Sequence, residues 1–262
     1  MYTKEKNEEL LSKWAQRAVE NNDGEITPDG VYFKGELYDF YEGRNDYSQL
    51  WRKEGNEDCQ WNNADRRILF VSKDPEEADN PYDRRGPDLF RNPDNSVSFG
   101  GRFNKNMSRI TAGLSKVSKD WFPTFEEVNN VEYVEDCWLN TAVARINLKK
   151  HSGGSTIANS TLKSAIEEYK DLIIAQLDLL SPNIIVCCGG SGIIKDFIIQ
   201  DYLKENPSSI KSPDDNWIYY SKDKDIWIID SYHMQPIGNI TDKDLYENII
   251  RNFQKGLQRW YV

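Results

Sequence analysis

The sequence predicts an α/β fold, a three-layer α/β/α sandwich around a four-stranded parallel sheet, and three observations lead to it. Four short apolar runs, at 67–72, 136–143, 184–188 and 226–230, each stop abruptly at polar residues or glycine, as strands buried on both faces do. Helical apolar spacing fills the segments between them, so the strands should pair in parallel through right-handed crossovers. At 262 residues and 38% hydrophobic, the chain is long enough to bury one large core.

The elements follow in order. Residues 4–20 set Leu10, Leu11, Trp14 and Ala18 at helical spacing, and the turn formers of 21–30 end that helix. Residues 31–43 suit a short hairpin or edge strands, and 44–66 read as connection, so 1–66 form an N-terminal extension packed on a domain of 67–262. The first strand, Arg67 to Ser72, runs into a long polar segment, 73–98, of a length that in compact domains accompanies function or disorder. A helix is predicted over 104–117. The second strand, Asp136 to Val143, leads into the loop NLKKHSGGSTIANS. The strongest helix comes next, over 161–180, with Leu162, Ala165, Ile166, Tyr169, Leu172 and Ile173 on one stripe. The third strand, Ile184 to Cys188, turns through Gly189-Gly190-Ser191-Gly192 into a helix over 193–203. The fourth, Ile226 to Asp230, ends at Ser231-Tyr232-His233, and an amphipathic helix closes the chain over 242–260.

Composition excludes several classes. A net charge of −10 argues against coating nucleic acid by bulk attraction, because phosphate binding is driven by Lys and Arg releasing counterions. Two local basic clusters remain, Arg102 with Lys105, Arg109, Lys116 and Lys119, and Arg145 with Lys149 and Lys150; they read either as solvated faces or as backbone contacts. The four cysteines form no C-x-x-C pair, so buried free thiols are expected, with neither zinc nor an iron–sulfur cluster. The two histidines have no ligand partner at helical spacing, and no metal is expected. Gly189-Gly190-Ser191-Gly192 lacks both the dinucleotide and the P-loop order, and it fails the nucleophile elbow by position. No run reaches the roughly 18 to 20 apolar residues of a membrane span, and the charged N-terminus lacks a signal-peptide stretch, so a cytoplasmic monomer is expected.

The residues that end these strands resemble those of a known family. Lys73-Asp74-Pro75 resembles the Gln-Asp-Pro motif of uracil-DNA glycosylases, and Trp138-Leu139-Asn140-Thr141 resembles their Leu-Leu-Asn-Thr. Tyr232-His233-Met234-Gln235-Pro236 is similar to a degraded form of their Tyr-His-Pro-Ser, and Leu180-Ser181-Pro182-Asn183-Ile184-Ile185-Val186 is similar to a segment of the bacterial iron–sulfur branch. The resemblance covers about 67–260. It implies a divergent uracil-DNA glycosylase-like member without the iron–sulfur cysteines and with no cofactor. Its activity would be base excision in DNA repair, with DNA favoured over RNA as partner.

On that resemblance each residue takes a role. Breaking an N-glycosidic bond passes through an oxocarbenium-like sugar, so the Asp74 carboxylate would stabilise positive charge and orient water. A neutral His233 would donate a hydrogen bond to the departing base. Asn140 offers donor and acceptor to an amide edge, and Phe99, with Phe103 as second choice, would stack on the base. Lys73 stands where the family carries Gln, Glu or Asn; it is open to an ion pair with Asp74, a phosphate contact or an amine nucleophile. Arg102, Lys149, Lys150, Gly190 and Ser191 would meet the nucleic-acid backbone. Each residue also has a structural reading: turn or cap for Asp74 and Asn140, local satisfaction for His233, core for either Phe. Two alternatives to catalysis stand beside it, a non-catalytic nucleobase, nucleotide or nucleic-acid binding module on the same fold, and an interaction protein presenting its eight Trp and fourteen Tyr.

Overall fold

The computed structural model describes residues 1–41, 48–73, 83–86, 89–92, 94–151, 157–212, 217–236 and 238–260. Helix α1 (Lys4–Asn21) starts at Thr3, whose side chain accepts from the Lys6 N–H, and ends at Asn22 in the left-handed region with φ 60°. Short strands β1 (Gly30–Val31), β2 (Leu37–Tyr41) and β3 (Ser48–Arg52) precede α2 (Glu57–Asn63) and the first long strand, β4 (Arg67–Ser72). After β5 (Leu89–Arg91) and β6 (Val97–Phe99) come α3 (Gly101–Lys116), α4 (Phe125–Val128) and α5 (Val131–Leu139). Strand β7 (Ala142–Asn147), α6 (Asn159–Leu180), β8 (Ile184–Cys188) and α7 (Ile193–Asp196) follow, the last widening into a π-helical turn over Phe197–Tyr202. Helix α8 (Pro207–Ile210), strands β9 (Ile218–Ser221) and β10 (Ile226–Ser231), and α9 (Asp242–Trp260) complete the chain.

The main sheet has six strands in the order β1-β7-β4-β8-β10-β9. Its four inner strands are parallel, and β1 and β9 pair antiparallel on the two edges. The class is therefore α/β, but the sheet is mixed rather than the four-stranded parallel sheet that the apolar runs predict. The edge strands escaped that reading because β1 has only two residues and β9 only four, too short for a periodic signal. A second, antiparallel sheet, β2-β3-β5-β6, joins residues of 37–52 to residues of 89–99, so the N-terminal 66 residues contribute strands to both sheets.

Helices cover both faces of the main sheet. On one side Met107, Ile110 and Leu114 of α3, Trp138 of α5, and Leu245, Ile249 and Phe253 of α9 pack on Phe70, Val143, Val186 and Ile229. On the other, Trp14 of α1, Leu162, Tyr169 and Ile173 of α6, and Ile194 of α7 pack on Leu69, Val71, Ile146 and Ile185. Strand alternation assigns each residue to its side. Burying each such side chain contributes about 1.5–3 kcal/mol, which is why helices with modest intrinsic preference hold here. No helix among the described residues is long and apolar enough to cross a membrane.

The second strand lies later than predicted. Residues 131–139 form a helix, because Asn130 caps the Tyr133 N–H at 3.0 Å and Val134, Cys137 and Trp138 fall at helical spacing on the core. The strand proper is 142–147, in which Ala142, Ala144 and Ile146 face α6 while Arg145 and Asn147 face α3. Its far end is anchored by a fully buried acid. Asp29 accepts two contacts from Lys150 Nζ at 2.5 and 2.6 Å, one from Gln176 Nε2 at 3.0 Å and one from the Asn147 N–H at 2.8 Å. Asn7 of α1 donates to the Asp29 carbonyl at 2.8 Å, so the same cluster ties α1, α6 and the tip of β7 together.

Candidate functional site

At the carboxyl edge of the inner strands, one row of residues crosses the sheet. Ser72 of β4 is in register with Asn147 of β7, Val71 with Cys187 of β8, and Cys188 with Ser231 of β10, so Asn147, Ser72, Cys188 and Ser231 lie side by side. Each stands two residues beyond a side chain of the α3 and α9 core, or two beyond Arg145, and so points to that same face. All four are buried, Asn147 to 1% exposure.

Several of their polar atoms have no partner among the described residues. Both side-chain atoms of the Asn147 carboxamide and the hydroxyls of Ser72 and Ser231 meet no hydrogen-bonding group among the described residues. A buried orphan of this kind costs about 1–3 kcal/mol, and three such residues stand here in one row. Cys188 does not satisfy them. Its thiol donates to the Val186 carbonyl at 3.5 Å, and its contact with the Ser72 side chain works against the rise of its pKa. Burial pushes that thiol up to about 12, against the pull of nearby Arg145, so it stays neutral.

An aromatic wall rises beside this row. Phe103, in the first turn of α3, has the Arg145 guanidinium 4.2 Å over its ring and the His233 imidazole 5.3 Å away, centroid to centroid. His233 is exposed just past β10, and its Nδ1 accepts from the Gln235 N–H at 3.2 Å. Nδ1 also lies 3.4 Å from the Gln235 carbonyl, and in the tautomer in which Nδ1 accepts the Gln235 N–H the donor is Nε2. Gly189 makes this approach of loops feasible: at φ +83° it lies so close that a Cβ would sit 3.2 Å from the His233 nitrogen, and its N–H donates to the Ser231 carbonyl at 2.9 Å.

The residues singled out from the sequence divide into three groups. His233 and Phe103 are brought together, and Lys73 stands at the same carboxyl edge, its carbonyl accepting from the Lys149 N–H at 2.9 Å. Asp74 lies outside the described residues. The others stand elsewhere or are engaged. Asn140 caps α5, exposed, with its amide donating to the Asp136 carbonyl at 2.9 Å and carboxylate at 3.1 Å. It precedes β7 and so lies at the amino edge of the sheet, a strand length of about 20 Å from the edge that holds His233. Phe99 is core, 6% exposed and edge-on to Trp138 at 5.2 Å.

The expected backbone contacts are also reassigned by packing. Lys150 is fully buried on Asp29, and Lys149, 5% exposed, donates to the His151 carbonyl at 2.7 Å. Arg102 is clamped on Asp242 at 2.6 Å and on the Pro236 carbonyl at 2.8 Å. Gly190, buried, and Ser191, exposed, shape the left-handed turn after β8 with φ +89° and +52°. Sequence reasoning missed Asn147, Ser72 and Ser231, and took Arg145 only as part of a basic cluster with Lys149 and Lys150. The signal for two of them was present: Arg145 and Asn147 alternate with Ala144 and Ile146 in 144–147.

A concavity of about 480 Å³ opens at the amino edge, lined by Asp65, Arg66, Asn183, Trp227, Phe253 and Leu257 among others. Its polar groups are engaged in the fold: Arg66 donates to the Leu114 and Val117 carbonyls, and Asn183 bonds the Arg67 N–H and the Asp65 carbonyl. It lacks the convergent unsatisfied groups of the carboxyl edge. No group of His, Cys, Asp and Glu among the described residues is placed to hold a metal ion. No family model matches the chain, and the curated proteins include no significant relative.

Proposed function

We propose that the chain is a glycosylase-like hydrolase that recognises a nucleobase at the carboxyl edge of its sheet and cleaves the N-glycosidic bond. The observation that carries this reading is Asn147, a nearly inaccessible carboxamide with donor and acceptor both unpartnered, on the face that holds the Phe103–His233 pair. A carboxamide offers the complementary donor and acceptor to the amide edge of a pyrimidine, and an aromatic wall offers a stacking face. The part that the family resemblance assigned to Asn140 thus passes to Asn147. His233 supplies an Nε2 donor for a base carrying negative charge as it leaves, and Asp74, next in sequence after Lys73, keeps its expected role at the sugar.

The test is abasic-site formation on oligonucleotides carrying uracil, hypoxanthine or modified pyrimidines. Asp74→Asn should slow single-turnover release at least ~100-fold, the low end of what a positioned electrostatic group contributes. Release on no substrate would end the catalytic reading. A second reading, a non-catalytic binder of a free base or nucleotide, is favoured by the burial of Lys149 and Lys150 and the pairing of Arg102, which remove three cations expected to hold a nucleic-acid backbone. Saturable base binding without any abasic product would select it.

A further inference from the structure

The imidazole of His233 is connected to the carboxylate of Asp242 through one peptide unit and one side-chain amide. Its Nδ1 faces the Gln235 N–H at 3.2 Å, and the carbonyl of that same trans peptide, Met234 C=O, accepts from Asn106 Nδ2 at 2.8 Å. A trans peptide points its carbonyl and its N–H in opposite directions, so the bond to Asn106 aims the N–H back at the ring. The Asn106 amide is fixed in turn. Its Oδ1 accepts from Arg109 at 3.0 Å, and its Nδ2 also donates to Asp242 Oδ1 at 3.0 Å. Further along the loop the Pro236 carbonyl accepts from Arg102 at 2.8 Å, and Arg102 Nε donates to the same Asp242 oxygen at 2.6 Å. The Asp242 carboxylate, at the start of α9, thus orients both side chains of α3 that grip the loop on either side of Gln235. Met234, which carries one of the gripped carbonyls, is fully buried.

We infer that Asp242 is a positioning residue for His233: acting through Asn106 and Arg102, it keeps the Gln235 N–H on Nδ1 and so keeps the ring proton on Nε2. The grip matters because the choice of tautomer is close. The Gln235 carbonyl lies 3.4 Å from the same nitrogen, so a small turn of the loop exchanges an N–H for an acceptor there and moves the proton to Nδ1. Phe103, which lies between Arg102 and Asn106 in the sequence of α3, packs on the ring at 5.3 Å, so the helix that aims the loop also meets the imidazole itself. Resting on the nucleobase reading above, the consequence is an Nε2 donor in place before the base departs. It acts on the charge that the base gains in the transition state, and so on the rate of release and not on binding.

Nitrogen NMR of the full chain labelled at histidine tests this at alkaline pH, where the ring is neutral. The chain has two histidines, so His151→Gln assigns the signals. In the wild type His233 should be mostly the Nε2–H tautomer. Asp242→Ala should lower the ratio of Nε2–H to Nδ1–H at least about fivefold, the worth of one neutral hydrogen bond, and Arg102→Met should move it the same way. The Arg102 variant decides if the Asp242 variant does not fold. Glu247→Gln breaks surface pairs of the same helix with Lys243 and Arg251 and should leave the ratio unchanged. A wild-type proton on Nδ1, a ratio unmoved in both variants, or an equal fall in the Glu247 variant would overturn the inference. On any oligonucleotide that the chain cleaves, Asp242→Ala should slow single-turnover release with substrate affinity unchanged. Release from no substrate would remove the nucleobase reading, and the tautomer ratios would still decide what positions His233.

Discussion

The backbone N–H of Asn147 donates to the carboxylate of Asp29 at 2.8 Å, so the strand tip that carries the unpartnered carboxamide is held by an acid fully buried behind it. The same carboxylate neutralises Lys150 at 2.5 Å, and Lys150 reaches back to the Asn147 carbonyl at 3.3 Å. Breaking this pair from one side leaves a charge stranded in the core. Asp29→Ala should destabilise the chain by about 3–5 kcal/mol in urea unfolding, and Lys150→Met by a similar amount. The double variant should lose clearly less than the two together, because no charge is then left unpaired. Additive losses would mean that the pair acts only through its packing.

Asn147 separates stability from function. A buried carboxamide without partners opposes folding, so Asn147→Leu, of the same branched shape, should raise the unfolding free energy by about 1–3 kcal/mol while abolishing base binding. Asn140→Ala is the matched control. It removes an exposed cap on α5, should lower stability by no more than about 1 kcal/mol, and should leave binding untouched. Lost binding in the Asn140 variant would restore that residue to the site.

The two phenylalanines near the start of α3 should part in the same way. Phe103 lies between Arg145 and His233, whereas Phe99 packs edge-on against Trp138. Phe103→Ala should weaken base binding by about 1–3 kcal/mol, the usual worth of one stacked base. Phe99→Ala should cost about 3–5 kcal/mol of folding stability, as truncation of a buried Phe does, with affinity unchanged wherever the chain remains folded. Titration calorimetry and thermal unfolding on both variants read the two effects independently.

What the sequence revealed and what it hid have physical causes. Strands 67–72, 184–188 and 226–231 were legible because both of their faces are buried, which writes an unbroken apolar run, and α6 because its stripe keeps one period over six turns. Strand 142–147 was read too early because Arg145 and Asn147 interrupt its apolar run, and they interrupt it where they face the candidate site. The apolar residues of 131–139 drew the strand toward them, although Asn130 and the spacing of Val134, Cys137 and Trp138 specify a helix. Asn140, singled out on the Leu-Leu-Asn-Thr resemblance, stands before β7 at the amino edge of the sheet. Burial of Lys149 and Lys150 was hidden because the acid that holds Lys150 lies 121 residues away in the chain.

Asp242 opens α9 and draws together three residues of α3. Arg102 Nε and Asn106 Nδ2 reach its Oδ1 at 2.6 and 3.0 Å, and Arg109 lies 3.4 Å from its Oδ2. Burial works against the carboxylate, yet these donors together hold it below its ordinary value of 3.8, and a helix N-terminus favours negative charge in the same sense. A carboxyl whose pKa falls on folding binds its proton more tightly in the unfolded chain, so its contribution is complete above 3.8 and is lost as pH falls through the lower, folded value. Asp242→Asn should therefore be less stable than the wild type at neutral pH, by about 1 kcal/mol for a partly exposed cluster. The gap should close on acidification below 3.8, where the wild-type carboxyl also becomes neutral. Urea unfolding of both proteins between neutral and strongly acidic pH measures it, and a gap that persists or widens in acid would show that Asp242 acts through shape and not through charge.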